Sequence, residues 1–320
     1  MRTPGVRVAD VADATRVRTR RGLFHPATRE RILWGYLMVA PMLLGLLVFY
    51  IWPVVQTFYY SFTRWGAFGG STWTGLDNYS TLIHDPDFGL ALRNTALYTV
   101  FSVPISIALS IVVATLLNQR IRGVTIYRTL YFLPVVTMPA AIGMMWKWLY
   151  EGDYGLINSI LRALHIHGPN WTTDSHTALI AVIIVGIWST VGYNMVLFLA
   201  GLQAIPGTYY EAAQIDGAGP LSRFFRITMP LLTPTIFFAL VIAFINAFQV
   251  FDIIYMMIGA PDNPGPAIDG VKSIVYLFYD HAFHLNDKGY AASIVMVMFA
   301  MLLAFTAFQL WFQRRWVHYE

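Results

Sequence analysis

The chain has 320 residues, of which 57% are hydrophobic and only 12% charged, against roughly 25% charged in an ordinary soluble domain. With a mean hydropathy of +0.56 such a surface would not stay dispersed in water, so a soluble domain is excluded and an all-α integral membrane protein is expected. Cysteine is absent, which removes disulfide frameworks, thiolate nucleophiles and Cys-based metal sites, and the net charge of +4 needs no nucleic acid if Arg and Lys gather on the cytoplasmic side of a membrane.

Residues 1–30 are rich in arginine, including Arg16, Arg18, Arg20 and Arg21, and have no apolar core. They read as a disordered basic cytoplasmic tail, placed to touch anionic lipid. The pair Arg20-Arg21 has the look of an export signal, but the apolar run after it is too long for a signal-peptide core and meets no small-residue cleavage site.

A spanning helix needs about 20 mostly apolar residues. Six runs qualify: residues 32–53, 95–117, 127–149, 178–202, 231–258 and 291–312. Pro41, Pro104, Pro134, Pro139, Gly186, Gly192 and Pro234 fall inside them, where they signal bends and close packing rather than sites. Basic residues collect in the tail, in the second connection with Arg120, Arg122 and Arg128, beside Arg223 and Arg226, and at Arg314 and Arg315. The other three connections hold more acids than bases. Both termini and the loop over residues 205–230 are therefore expected in the cytoplasm.

That loop carries the densest set of local signals. Pro206 suits the start of a short helix, Gly217 a left-handed stop, and Pro220 the first turn of a second helix through Phe224, Phe225 and Arg226. Pro230 and Pro234 follow at re-entry into the membrane. A charged loop is ordinarily just an interfacial connection, but small Ala212 and Ala213 and the two phenylalanines ask for a covering surface.

The pattern Glu211-Ala212-Ala213, then Asp216-Gly217-Ala218, then Phe224, Ile227, Pro230 and Pro234 resembles the signature of binding-protein-dependent ABC importer permeases. Gly75-Leu-Asp-Asn-Tyr79, Phe251-Asp252 and Arg315-Trp-Val-His-Tyr319 are similar to the carbohydrate-uptake branch, in particular to the first permease of lactose, multiple-sugar and glycerol-3-phosphate importers. The resemblance implies a six-helix type I ABC importer transmembrane domain over residues 31–320. It implies a second permease subunit in a heterodimer, an ATPase subunit dimer that alone binds ATP and Mg²⁺, an extracytoplasmic substrate-binding protein, and a bacterial or archaeal membrane. It assigns ATPase coupling to Glu211, Ala212, Ala213, Asp216, Gly217, Ala218 and Phe224. No cofactor is expected on this chain. Its nearest approach to a P-loop, around Gly270 and Lys272, is broken by Val271.

Polar residues inside spans mark pathways or helix contacts. Asn246, Gln249 and Asp252 in the fifth span and Trp188, Tyr193 and Asn194 in the fourth are the candidates for a substrate pathway. Amides offer paired donors and acceptors to hydroxyls, and aromatic rings can stack on a sugar. Asp252 is expected near the external end of its span. The basic residues within the runs are Lys147 and Arg128, which favours a neutral mono- or oligosaccharide, with glycerol-3-phosphate or a phosphodiester as the alternative. The histidines fall at spacings that suit no metal site. A secondary transporter would require a coupling-ion site and usually an internal repeat, and a membrane enzyme clustered acids or histidines; the sequence offers neither.

Overall fold

The computed structural model describes residues 26–65, 70–119 and 121–317. The basic tail expected over residues 1–30 lies outside them but for its last residues, as do His318 and Tyr319 of the C-terminal match. The chain divides into two compact units, Met1–Gln56 and Thr57–Glu320. In the first, α1 (Pro26–Leu46) runs through a wide turn, Leu47–Ile51, into α2 (Trp52–Tyr60). There the Trp52 N–H donates to the Leu47 carbonyl, five residues back. Pro53 accounts for it: the ring crowds the carbonyl a turn earlier and supplies no N–H, and one wide turn absorbs the mismatch without ending the helix.

The second unit takes in the end of α2 from Thr57 and then a small hairpin, β1 (Thr63–Trp65) and β2 (Ser71–Trp73), antiparallel with Thr63 opposite Trp73. Then come α3 (Asp77–His84), α4 (Pro86–Leu117), α5 (Val124–Val136), α6 (Pro139–Leu149), α7 (Leu156–Ala163) and α8 (Ser175–Ala204). The rest comprises α9 (Gly207–Ile215), α10 (Pro220–Arg223), α11 (Met229–Phe248), α12 (Asp252–Met257), α13 (Ile268–Val271), α14 (Ile274–Tyr279) and α15 (Lys288–Gln313). Among the described residues, five helical stretches are long and apolar enough to cross a membrane, and six spans result when the bent pair α5–α6 is one of them.

Three of the expected spans are corrected. The second starts at Pro86 rather than residue 95, because the Asp85 side chain accepts from the Asp87 N–H at 2.8 Å and Pro86 fills the first helical position. The third is broken: α5 and α6 meet at 102°. Pro139 drives the residue before it out of helical geometry, and Met138 stands at φ −59°, ψ 130°. The fifth stops at Phe248, and a short non-helical link leads to α12, which Asp252 opens.

Helices α4 and α8 pack at the centre, and glycine sets how closely their neighbours approach. A Cβ on Gly186 would lie 2.0 Å from the Tyr98 hydroxyl, and one on Gly192 would lie 2.0 Å from the Tyr131 carbonyl oxygen. These are small-residue contacts of the kind that lets membrane helices close on one another. Ser110 adds a cross-helix bond to the Val191 carbonyl at 3.2 Å. Phe198, Met195, Val182 and Val185 fill the core beneath.

The loop after α12 is tied to α4 by buried polar groups. Asn94 donates to the carbonyls of Asp269 (2.9 Å) and Lys272 (3.2 Å), and Thr95 accepts from the Ile274 N–H at 3.1 Å. The Gly75-to-Tyr79 motif has an equally structural task. The Asn78 amide donates to the carbonyls of Ser61 and Thr63, both at 2.9 Å, and the Tyr79 hydroxyl lies 2.7 Å from Ser61 Oγ. Together they lash α3 to the chain leaving α2.

Candidate functional site

Two features remain once the packing is accounted for: a hairpin that stands off the bundle and a cavity inside it. The hairpin is α9, a turn and α10. Gly217 sits at φ +74°, the left-handed conformation in which a Cβ is strained. The Ala218 N–H donates to the Ala213 carbonyl at 2.9 Å and the Gly217 N–H to that of Gln214 at 3.1 Å, the paired bonds of a Schellman stop. Pro220 then opens α10. A wide turn over Phe224–Thr228 joins α10 to α11, and Tyr210 bonds across to buried Thr228 at 3.0 Å.

This geometry sorts the residues singled out in sequence. Glu211, Ala212, Asp216 and Gly217 are exposed, and Ala213 and Ala218 half-buried, around the tip. Phe224 does not share their surface: it is half-buried against the main core. Its neighbour Phe225 is 60% exposed, and Ile215 and Leu221 are 87% and 72% exposed. Sequence reading missed Ile215 and Leu221. Both flank the Gly217 stop, and an apolar residue beside a capped turn was the available clue.

The cavity has a volume of about 570 Å³ and lies among α4, α5, α6, α8 and the α11–α12 link. Tyr193, Asn194, Asn246, Gln249 and Asp252 all line it, joined by Ser189 and Thr190. Trp188 does not. At about 100° per residue, Gly186, Thr190, Tyr193 and Asn194 share one stripe of α8, and Trp188 faces roughly the opposite way. Its ring instead meets Trp146 edge to face at 5.4 Å. The helix breaks matter here, since Thr137 and Pro139 from one and Gln249, Val250 and Phe251 from the other are in the wall. Irregular backbone at membrane depth is tolerable where it lines a cavity. Among the described residues, Asp252 is the only charged side chain in the lining. Lys147 and Arg128 are not part of it, and Arg128 donates instead to the Leu117 carbonyl at 3.0 Å, at the end of α4.

Outside the membrane, Lys272 lies 3.2 Å from both Asp87 and Asp269. Its burial acts to lower the ammonium pKa, but hydrogen bonds and charge from Asp87 and then Asp269 outweigh that and hold it above the ordinary lysine value.

Comparison with known proteins agrees with this architecture. Residues 106–318 match the family described as binding-protein-dependent transport system inner membrane component. The chain is 35% identical over 288 residues to the sn-glycerol-3-phosphate transport system permease protein UgpA of Agrobacterium fabrum, covering 89% of this chain and 96% of that protein. It is 36% identical over 273 residues to the trehalose/maltose transport system permease protein MalF of Thermococcus litoralis, covering 85% and 90%. Among solved structures, a bacterial ABC transporter involved in the import of the acidic polysaccharide alginate superposes with a TM-score of 0.79 at 21% identity, over 89% of this chain and 96% of that one. The fold is thus that of a type I ABC importer permease. The chain belongs to the family of inner membrane components of binding-protein-dependent transport systems.

Proposed function

We propose that this chain is one permease half of an ATP-driven importer of a neutral mono- or oligosaccharide. The observation that carries the substrate class is the cavity wall: amides and hydroxyls from Asn194, Asn246, Gln249, Ser189 and Thr190 and, among the described residues, a single carboxylate and no basic side chain. Amides and hydroxyls offer both donors and acceptors to sugar hydroxyls, whereas a phosphate or uronate beside the Asp252 carboxylate would meet like charge. Of the two relatives, the one named for trehalose and maltose fits this wall better than the one named for sn-glycerol-3-phosphate. The latter chemistry would require its counter-charge from a partner.

Family membership supports the coupling assignment. The hairpin from Glu211 to Pro234 presents exposed Glu211, Ala212, Asp216 and Gly217 to an ATPase subunit, which binds ATP and Mg²⁺. A second permease completes the pathway, and an extracytoplasmic binding protein delivers substrate. Both termini and the hairpin face the cytoplasm, in keeping with the arginine distribution. Closure of the ATPase dimer draws the hairpins together and turns the cavity outward. The test is purification of the tagged chain with its partners, followed by uptake in proteoliposomes. Recovery of an ATPase and a second permease, with saccharide uptake that requires ATP, supports the reading. ATP-independent uptake by the chain alone would sink it in favour of secondary transport.

A further inference from the structure

A second cavity, of about 810 Å³, opens on the outer side of the α4–α8 pair and shares no residue with the first. Its mouth holds Arg93, Asn94, Ser175 and His176, beside Asp269. Its floor is wholly apolar: Leu97, Phe101 and Ile105 descend α4 at four-residue spacing, and Ile180, Ile183 and Ile187 descend α8. At 1.5 Å per residue, Arg93 to Ile105 spans about 18 Å, close to the ~15 Å of half a ~30 Å hydrocarbon core. The groove is therefore one leaflet deep and polar at one end only.

The charges at the mouth are unequal. Asp269 is paired with Lys272 at 3.2 Å, an ammonium it shares with Asp87 at the same distance, and the Asn94 amide is spent on two backbone carbonyls. Arg93 is exposed and, among the described residues, makes no hydrogen bond or ion pair. It stands at the head of the trough beside Ser175 and His176, where the Asp174 carboxylate already caps α8 by accepting from the His176 N–H at 2.9 Å, so Arg93 is the group at the mouth left to meet an anion. We propose that this groove is a binding site for an anionic phospholipid, its phosphate held by Arg93 and one acyl chain lying along Phe101, Ile105 and Ile183. The inference rests on the membrane placement of α4 and α8 and is independent of the cargo. A cation over an apolar trough of one leaflet's depth fits a lipid better than a protein helix, which would have to bury Arg93 unpaired.

The experiment uses the assembled complex, delipidated in detergent and titrated with phosphatidylglycerol or with phosphatidylcholine of the same acyl chains, bound lipid being counted by native mass spectrometry. Phosphatidylglycerol is expected to bind about fivefold tighter, the worth of one basic group at a membrane surface. Arg93→Ala should erase that preference, Arg93→Lys should keep it, and Ile183→Trp should weaken both lipids by filling the trough. Equal binding of the two lipids by the wild-type complex would overturn the proposal, as would a preference that survives Arg93→Ala. Because the chain has no native cysteine, Ile184→Cys supplies a further reading that does not depend on Arg93 variants assembling. Labelling by a membrane-soluble maleimide supports an open, lipid-filled groove. Crosslinking of that cysteine to a neighbouring subunit would show that protein covers it, and would likewise overturn the proposal. ATP-driven uptake by the same complex tests the transport reading separately.

Discussion

The Ala218 N–H donates to the Ala213 carbonyl at 2.9 Å, and that bond exists because Gly217 between them stands at φ +74°. A Cβ there would meet nothing within 4 Å, so side-chain space is not the constraint; the backbone is. Gly217→Ala should cost about 1–2 kcal/mol locally, enough to fray the tip while leaving the bundle folded. Gly217→Asn, which tolerates the left-handed region, should be milder. The expected pattern in proteoliposomes is ATP-driven uptake in the order Gly, Asn, Ala, with size-exclusion profiles of the permease unchanged. Full uptake by Gly217→Trp would show that the tip is not a coupling contact.

The apolar residues around that tip should divide by exposure. Ile215→Ser and Phe225→Ser remove groups that face outward and should weaken ATPase association severalfold with little change in thermal stability. Phe224→Ser removes a side chain packed on the core and should lower stability by about 2–4 kcal/mol. Thermal unfolding and ATPase co-purification, measured on the same three variants, separate the two effects. A destabilised Phe225→Ser with normal ATPase binding would reverse the assignment.

How much of this could be read in the sequence depends on whether the signal was conformational or directional. The hairpin was legible because Pro206, Gly217 and Pro220 each restrict backbone angles locally. The start of α4 was not, since Asp87 and Arg93 interrupt its apolar run even though Asp85 and Pro86 already announce a helix. The break between α5 and α6 hid for another reason: hydropathy stays high on both sides of Pro139, and hydropathy has no direction. Phe224 and Phe225 are adjacent and chemically identical, so only the fold tells them apart. Five of the six residues proposed from sequence for a pathway line one cavity, while Trp188 is out of phase with the polar stripe of α8. That stripe, at Gly186, Thr190, Tyr193 and Asn194, could have been counted from helical periodicity. Gly75, Asn78 and Tyr79 look like a functional signature, yet Asn78 and Tyr79 hold backbone and a serine hydroxyl in place.

Gly192→Ala is expected to destabilise the permease although alanine is the better helix former. The new methyl would sit 2.0 Å from the Tyr131 carbonyl oxygen, a backbone atom that cannot rotate away. Overpacking of this kind costs about 1–3 kcal/mol, against a propensity gain of about 1 kcal/mol at most. A lowered melting temperature in detergent is the readout, and an unchanged or raised one would mean that α5 shifts freely on α8.

Lys272 makes a pH dependence of definite sign. Its pKa is held above the ordinary value, so its pairs with Asp87 and Asp269 are fully present below about pH 10.4, the unfolded lysine value, and are lost as pH rises through the raised folded value. The two carboxylates are largely solvent-exposed, so the contribution is about 1 kcal/mol or less. Melting temperature should fall as pH rises above about 10.4 more steeply for the wild type than for Lys272→Met, and parallel curves would refute the linkage.

The cavity makes the sharpest demand. Asn246→Trp places a large ring in a space of about 570 Å³ without touching the hairpin. If this cavity is the pathway, saccharide uptake should fall at least tenfold while the complex still assembles and hydrolyses ATP. Asp252→Asn should leave neutral-sugar uptake within about threefold, because no charge on the cargo depends on it, and should ease any residual entry of an anionic analogue by removing the repulsion. Trp188→Ala, outside the wall, is the control and should transport normally once folded. Normal uptake by Asn246→Trp would move the pathway elsewhere, and a large loss in Asp252→Asn would mean that the carboxylate serves the gate or grips the substrate.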